Sequence, residues 1–355
     1  MLDKKNIRIG FSIGDLNGIG GELILKIIKE RNLLKSFTPI IYASAKVINF
    51  LNNHFKYLIN FNEINHVGQA LPYEINVLNV WTEDIEIKFG EPTKESGKYA
   101  VLSLQSSVKD LKLNLIDVLV TLPINKHNIQ SKKFNFPGHT DYISNVLNGE
   151  SLMFMVSKEL KVGLLTDHVP INKVSSLINE SLISKKINII INSLRMDFGI
   201  SNPKVAVLGV NPHTGDNGVI GIEDDTIIRP AIDNLKKSGN LIFGPYSADS
   251  FFGSKQYQNY DAIIASYHDQ GLIPFKTLTF GKGVNFTAGL DRIRTSPDHG
   301  TAFDIAGKNQ AQESSFRQAV YAACDVFKKR QEWHRLNSNP LKISPKKERS
   351  RSKVE

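Results

Sequence analysis

Residues 262–307 read AIIASYHDQGLIPFKTLTFGKGVNFTAGLDRIRTSPDHGTAFDIAG, and this stretch points to the fold class. It opens on an apolar run, Ala262-Ile263-Ile264-Ala265, of the kind a buried strand in a parallel sheet requires. Polar groups able to bind or react then follow in quick succession: His268, Asp269, Gln270, Lys276, Asn285, Arg292, Arg294, Asp298 and His299. Glycines at 271, 281, 283, 289, 300 and 307 leave the backbone free to turn and to approach a ligand. A solvated connection would carry more Glu and Lys filler and fewer histidines, arginines and glycines. The stretch reads as the wall of an active site.

Outward from it, apolar runs of strand length recur at 7–13, 39–42, 75–80, 116–121, 152–156, 162–166, 204–210 and 284–287. Helical patterns lie between several of them. Leu23, Ile24, Ile27 and Ile28 form one stripe, and Val174, Leu177, Ile187, Ile191 and Leu194 suggest a single longer helix. Alternation of this kind predicts an α/β fold with a largely parallel sheet. Five polar motifs follow strands: GDLNGIG the first, TLPINK the fourth, TDHVP the sixth, GVNPHTGDNG the seventh and YHDQG the eighth. Ligands of open α/β sheets bind beyond the carboxyl ends of the strands, so these loops are expected to converge on one cleft.

Composition bounds the reading. The 355 residues suffice for two domains with a large core, and no apolar run approaches the ~20 residues that span a bilayer. The amino terminus enters a strand at once without a signal-peptide pattern, and one cysteine, Cys324, suits a reducing compartment; a cytoplasmic protein is expected. Cys324 falls in a helical pattern with Phe316, Val320, Ala323 and Phe327 and reads as a packed core thiol. The net charge of +9 is uneven: from Lys328 onward ten Lys or Arg face three Glu, a net of +7 that leaves +2 for the other residues. That excess is a basic tail, expected to be unstructured, so neither nucleic acid nor membrane is an expected partner.

Three histidines share one context just after a strand: His168 in LLTDHVP, His213 in VLGVNPH and His268 in IIASYHD. Three imidazoles with an open fourth position make a catalytic metal arrangement. All-nitrogen ligation favours zinc or another late divalent metal over magnesium or calcium. GDLNGIGGE is neither a dinucleotide fingerprint nor a Walker A loop; it is a tight turn into a helix that could offer amide groups to an anion. FPGHTDY sets His139 and Thr140 before a helix, and with Lys276, Asn285 and Arg294 supplies donors for a phosphorylated small molecule. A salt bridge from Arg294 to Asp298 would need a helix there, which Pro297 disfavours.

These motifs, with ESGKYA, GPYSADSFF and VNFTAGLDRIRTSPDHGTAFDIAG, closely resemble the 4-hydroxythreonine-4-phosphate dehydrogenase (PdxA) family from Ile7 to about Phe327. The resemblance implies two α/β/α domains flanking a cleft, as in isocitrate and isopropylmalate dehydrogenases. Residues 1–125 with 300–330 would form the first domain, 126–299 the second and 331–355 the tail. It implies a homodimer with a shared active site and NAD- or NADP-dependent oxidation of 4-phosphooxy-threonine, followed by loss of carbon dioxide. His168, His213 and His268 match the family's metal ligands, with zinc foremost and cobalt or magnesium as alternatives. His139, Thr140, Lys276, Asn285 and Arg294 match its substrate contacts. Asp249 and Asp269 are candidates for proton transfer or for orienting a neighbour. The first loop departs from the family's GDPAGIGPE at Leu16, Asn17 and Gly21, Asp291 replaces a proline, and GIED stands where GEEE is common. Rival readings are a dehydrogenase of threonate or erythronate phosphate, a dihydrodiol dehydrogenase, a metal-dependent phosphatase or acyl-phosphate enzyme, and a phosphometabolite-binding protein.

Overall fold

The computed structural model describes residues 6–132 and 134–339. Among them, twelve strands form one sheet: β1 (Ile7–Ser12), β2 (Phe37–Ala43), β3 (Asn62–Ile64), β4 (Asn76–Asn79), β5 (Val118–Thr121), β6 (Leu152–Val156), β7 (Lys161–Leu164), β8 (Lys204–Leu208), β9 (Leu241–Tyr246), β10 (Ala262–Ala265), β11 (Val284–Ala288) and β12 (Ile293–Pro297). Their order across the sheet is β3-β4-β2-β1-β5-β12-β11-β6-β7-β10-β8-β9. Strands β2, β5, β6 and β10 are buried along their whole length, as expected of strands covered on both faces. The α/β class stands.

The arrangement of the loops differs from the expectation. β11 pairs antiparallel with both β12 and β6, and β6 pairs antiparallel with β7. Strands β7, β10, β8 and β9 therefore run opposite to β1, β2, β4 and β5, and the carboxyl ends of the two halves face opposite edges. Five strand-end loops cannot meet at one edge of such a sheet. The strands that matter lie at its centre, where side-chain alternation sorts the faces. On β12, Thr295 turns to the helix Ser314–Asn337, donating to Ala319 O at 2.9 Å, while Arg294 turns to the other face and reaches Thr121. Asn285 and Ser296, paired in register, share that second face.

Local signals account for several further departures. The single helix expected from Val174 to Leu194 is broken, because Asn179 accepts the backbone N–H of Leu182 at 2.9 Å and caps a new helix, Glu180–Met196. Strands β3, β9 and β12 were not anticipated. The helix Ser314–Asn337 runs into the expected tail, and positions 340–355 of that tail lie outside the described residues. Cys324 is buried in the core as expected, and burial pushes its thiol up to about 12. No helix among the described residues is long and apolar enough to cross a membrane.

Candidate active site

A cavity of about 470 Å³ lies over the central face of the sheet. Its floor carries Arg294 and Ser296 of β12, Asn285 of β11, Thr121 of β5 and Met153 of β6. Its walls are the segment after β5 with Lys126, the start of the helix His139–Leu147, the pair Asp167 and His168 after β7, Lys186, and His299 with Gly300. Of the predicted residues, His139, Thr140, His168, Asn285 and Arg294 are brought together here.

Arg294 dominates the electrostatics. Its side chain is 2% exposed, and its guanidinium donates to Thr121 Oγ1 at 3.0 and 2.7 Å and to Thr287 Oγ1 at 3.1 Å. Hydroxyls orient a cation without neutralising it, and burial holds the guanidinium down to about 9. The salt bridge to Asp298 weighed from sequence does not form, since Arg294 lies in a strand and Asp298 pairs with Lys276 at 3.1 Å. His139 opens its helix with no side-chain cap before it, so its backbone amides join a helix amino terminus. Burial first, then the charges of Arg294 and Lys126, hold its imidazole well below the ordinary histidine value. His139 Nε2 and Asn285 Oδ1 are buried without a hydrogen-bond partner. Unpaired buried polar atoms are costly, and here they lie around one cavity.

The histidines expected to hold a metal are only partly gathered. The rings of His168 and His268 are neighbours, 5.7 Å apart at 46°. His268 is the first residue of the helix His268–Thr279, seated on β7 through Gly271, where a Cβ would come within 2.8 Å of Leu164. Its Nδ1 contacts Asp269 Oδ1 at 2.7 Å, the contact an orienting carboxylate makes. His213 stands apart. It begins six consecutive residues of positive φ, His213 to Gly218, and it neighbours Asp249, whose carboxylate accepts from Ser247 Oγ at 2.6 Å. Among the described residues, no three His, Cys, Asp or Glu side chains come together to hold an ion. One chain thus brings two imidazoles side by side without a third such group.

A family model described as "Pyridoxal phosphate biosynthetic protein PdxA" matches residues 35–323. The chain belongs to the PdxA family. It is 45% identical over 343 residues to the 4-hydroxythreonine-4-phosphate dehydrogenase of Bacteroides thetaiotaomicron, covering 96% of this chain and 94% of that one. It is 34% identical over 330 residues to a putative D-threonate 4-phosphate dehydrogenase of Oceanobacillus iheyensis, covering 92% and 99%. The structure of a putative 4-hydroxythreonine-4-phosphate dehydrogenase from Salmonella typhimurium superimposes with a TM-score of 0.79 at 29% identity, over 91% and 99% of the two chains. This PdxA-family chain is an oxidoreductase, a dehydrogenase of pyridoxal phosphate biosynthesis.

Other predicted positions take different places. Lys276, Asp249 and Asp269 do not line the cavity. GDLNGIGGE lies behind it: residues 14–25 are buried, Gly14 at φ +74° packs against Pro123 O, and Asp15 accepts from Asn128 Nδ2 at 2.8 Å. Its amides serve the fold, with Asp15 N donating to Pro123 O and Ile19 N to Thr301 O. Sequence reasoning passed over Lys186, held Lys126 only as part of TLPINK, and named His299 among the polar groups of the wall without giving it a role. The readable signal for Lys186 is a cation at the edge of the apolar face made by Ile183, Ile187 and Ile190.

Proposed function

We propose that this chain oxidises the secondary alcohol of 4-phosphooxy-L-threonine with NAD or NADP, giving 2-amino-3-oxo-4-phosphooxybutanoate, which decarboxylates to 3-amino-2-oxopropyl phosphate. One observation carries the reading: a buried guanidinium that faces a cavity with only hydroxyl partners. A charge so placed is stabilised when an anion enters, and the phosphate of the substrate is that anion. His139, Thr140 and the helix amino terminus supply further donors to it, and Asn285 fixes its register. A neutral His139 beside Arg294 accepts or donates one hydrogen bond without adding charge. Lys276 belongs to this set in the family and here answers Asp298 beside the cavity. The relatives with the higher identities, 45% and 41%, carry the 4-hydroxythreonine-4-phosphate name, which favours an amino acid substrate over a threonate.

A divalent metal, zinc foremost, belongs to this reading. His168 and His268 converge within one chain, and His213 would complete the set from a second copy. The segment just after His213 and the end of the His268 helix each carry bare apolar side chains, Val219 at 83% and Phe280 at 87% exposure, as an interface between copies requires. Asp269, at hydrogen-bond distance from His268, is the carboxylate placed to orient that imidazole. Asp249 would serve His213 in the same way.

The experiment is a substrate panel followed by reduced nicotinamide absorbance. Turnover with 4-phosphooxy-threonine should exceed that with threonate 4-phosphate, erythronate 4-phosphate or an aromatic dihydrodiol by at least about tenfold in kcat/KM. A reversed order would reassign the substrate.

A further inference from the structure

A substrate with a phosphate and a carboxylate needs two cationic poles. Three cations line the cavity: Arg294, Lys126 and Lys186. Lys126 lies between the two sides, its charge acting on His139 together with that of Arg294 and also on His168. Lys276 is paired with Asp298 and lies off the cavity wall. Lys186 comes from a different element, the helix Glu180–Met196, on the side of the cavity that carries Asp167.

Neighbouring lysines on that helix behave differently. Lys185 faces solvent and pairs with Glu150 at 2.6 Å. Lys186 lies at the margin of the buried face, lines the cavity, and has no ion pair or hydrogen bond among the described residues. Burial pushes its ammonium below the ordinary lysine value, and Asp167 only partly offsets that. A lysine stem readily bends its charge toward water, so an inward, partnerless ammonium signals a ligand. We propose that Lys186 is a substrate-positioning residue that receives the carboxylate of the substrate while the phosphate lies against Arg294. The proposal rests on the function argued above and adds the direction in which the substrate lies.

The test compares two phosphorylated ligands that differ only in the carboxylate: 4-phosphooxy-threonine and the amino alcohol phosphate that lacks it. In Lys186→Met, KM for 4-phosphooxy-threonine should rise roughly ten- to a hundredfold with kcat within about threefold. Inhibition by the carboxylate-free compound should be unchanged, and Lys186→Arg should recover most of the loss. An unchanged KM in Lys186→Met overturns the proposal. So does an equal loss with both ligands, which would assign Lys186 to the phosphate or to packing. Should Lys186→Met fail to fold, Lys186→Gln is read in the same way. Calorimetric binding of the two compounds to the wild-type and variant proteins reads the inference even without turnover. Absence of turnover together with a carboxylate-dependent Lys186 effect would sink the reaction and keep the subsite.

Discussion

Arg294 and His213 were both expected at the site, and the fold treats them in opposite ways. Arg294 sits in mid-strand, its backbone fixed by register with β5 and its guanidinium oriented by two threonines. His213 sits on an exposed turn of left-handed residues, tied down from below. There Asp224 accepts from Val210 N at 2.8 Å and from Asn211 N at 3.0 Å, while Asn211 Nδ2 donates to Glu223 at 2.8 Å. A sheet can prepare an anion site within one chain because neighbouring strands hold each donor from both sides. A loop held only at its base presents its side chain outward, and in the proposed function a second copy completes the geometry there. On the proposed reading the anion pole is built by one chain and the metal pole is shared between two.

The largest test of this contrast is removal of the metal. Treatment with a chelator should abolish turnover, with recovery on adding zinc or cobalt, while calorimetric binding of a phosphorylated ligand changes little. Equal loss of both would mean that the two poles are one site. Variants His168→Ala and His268→Ala should lower zinc content on purification, and His213→Ala should do so only in protein that sediments as a dimer. A fully active monomer would break the shared-site reading.

Next in size is the anion pole. Arg294→Ala should lower kcat/KM for 4-phosphooxy-threonine by roughly ten- to a hundredfold, with a much smaller effect on a dephosphorylated analogue. Arg294→Lys should not restore it, because an ammonium cannot reproduce the planar fork. Arg294→Met should melt no lower than wild type in the absence of ligand. The guanidinium titrates lower folded than unfolded, so its burial costs stability in full below about pH 9 and the cost fades as pH rises above that. A lower melting temperature for Arg294→Met would show that the cation is compensated in the free protein.

A smaller effect probes the loop. Asp224→Asn removes a buried carboxylate that accepts backbone amides beneath His213. Metal affinity should fall by about tenfold, in the range seen when residues behind metal ligands are altered, with phosphate binding intact. Loss of phosphate binding in this variant would show that the poles are mechanically coupled.

The smallest expected effect is on the acid side of the stability profile. His139 and His299 both titrate below the ordinary histidine value because they are buried. Between the folded and unfolded values the unfolded chain binds more protons, so both residues withdraw stability as pH falls below about 6.5. His139→Gln should flatten the fall in melting temperature between pH 7 and pH 5 by roughly 2–4 °C, read by calorimetry. An unchanged slope would mean that His139 is protonated in the folded protein.

Much of this was legible in the chain. The anticipated apolar runs all became strands, because strands covered on both faces need near-continuous apolar sequence. His139, Thr140, Asn285 and Arg294 could be picked out because donors beside glycines in apolar surroundings have few structural uses. β12 was missed since Arg294 and Ser296 interrupt its apolar pattern, yet those residues are polar because one face of that strand borders a cavity. Lys186 was hidden for the opposite reason: one lysine in a helical stripe looks like a solvated edge until the neighbouring elements close around it.

The amino-acid sequence by itself determined the α/β class, the family and the chemistry available, since these depend on periodicity and residue type along the chain. Only the tertiary structure decided that the sheet reverses direction at its centre, that the cavity opens over a face instead of at an edge, and that the three histidines divide two to one. Strand direction is set by which edges pair, and pairing joins residues more than a hundred positions apart, such as Ile293 with Val118. No local pattern carries that information, because hydrogen-bonding edges of the backbone are the same for every residue except proline.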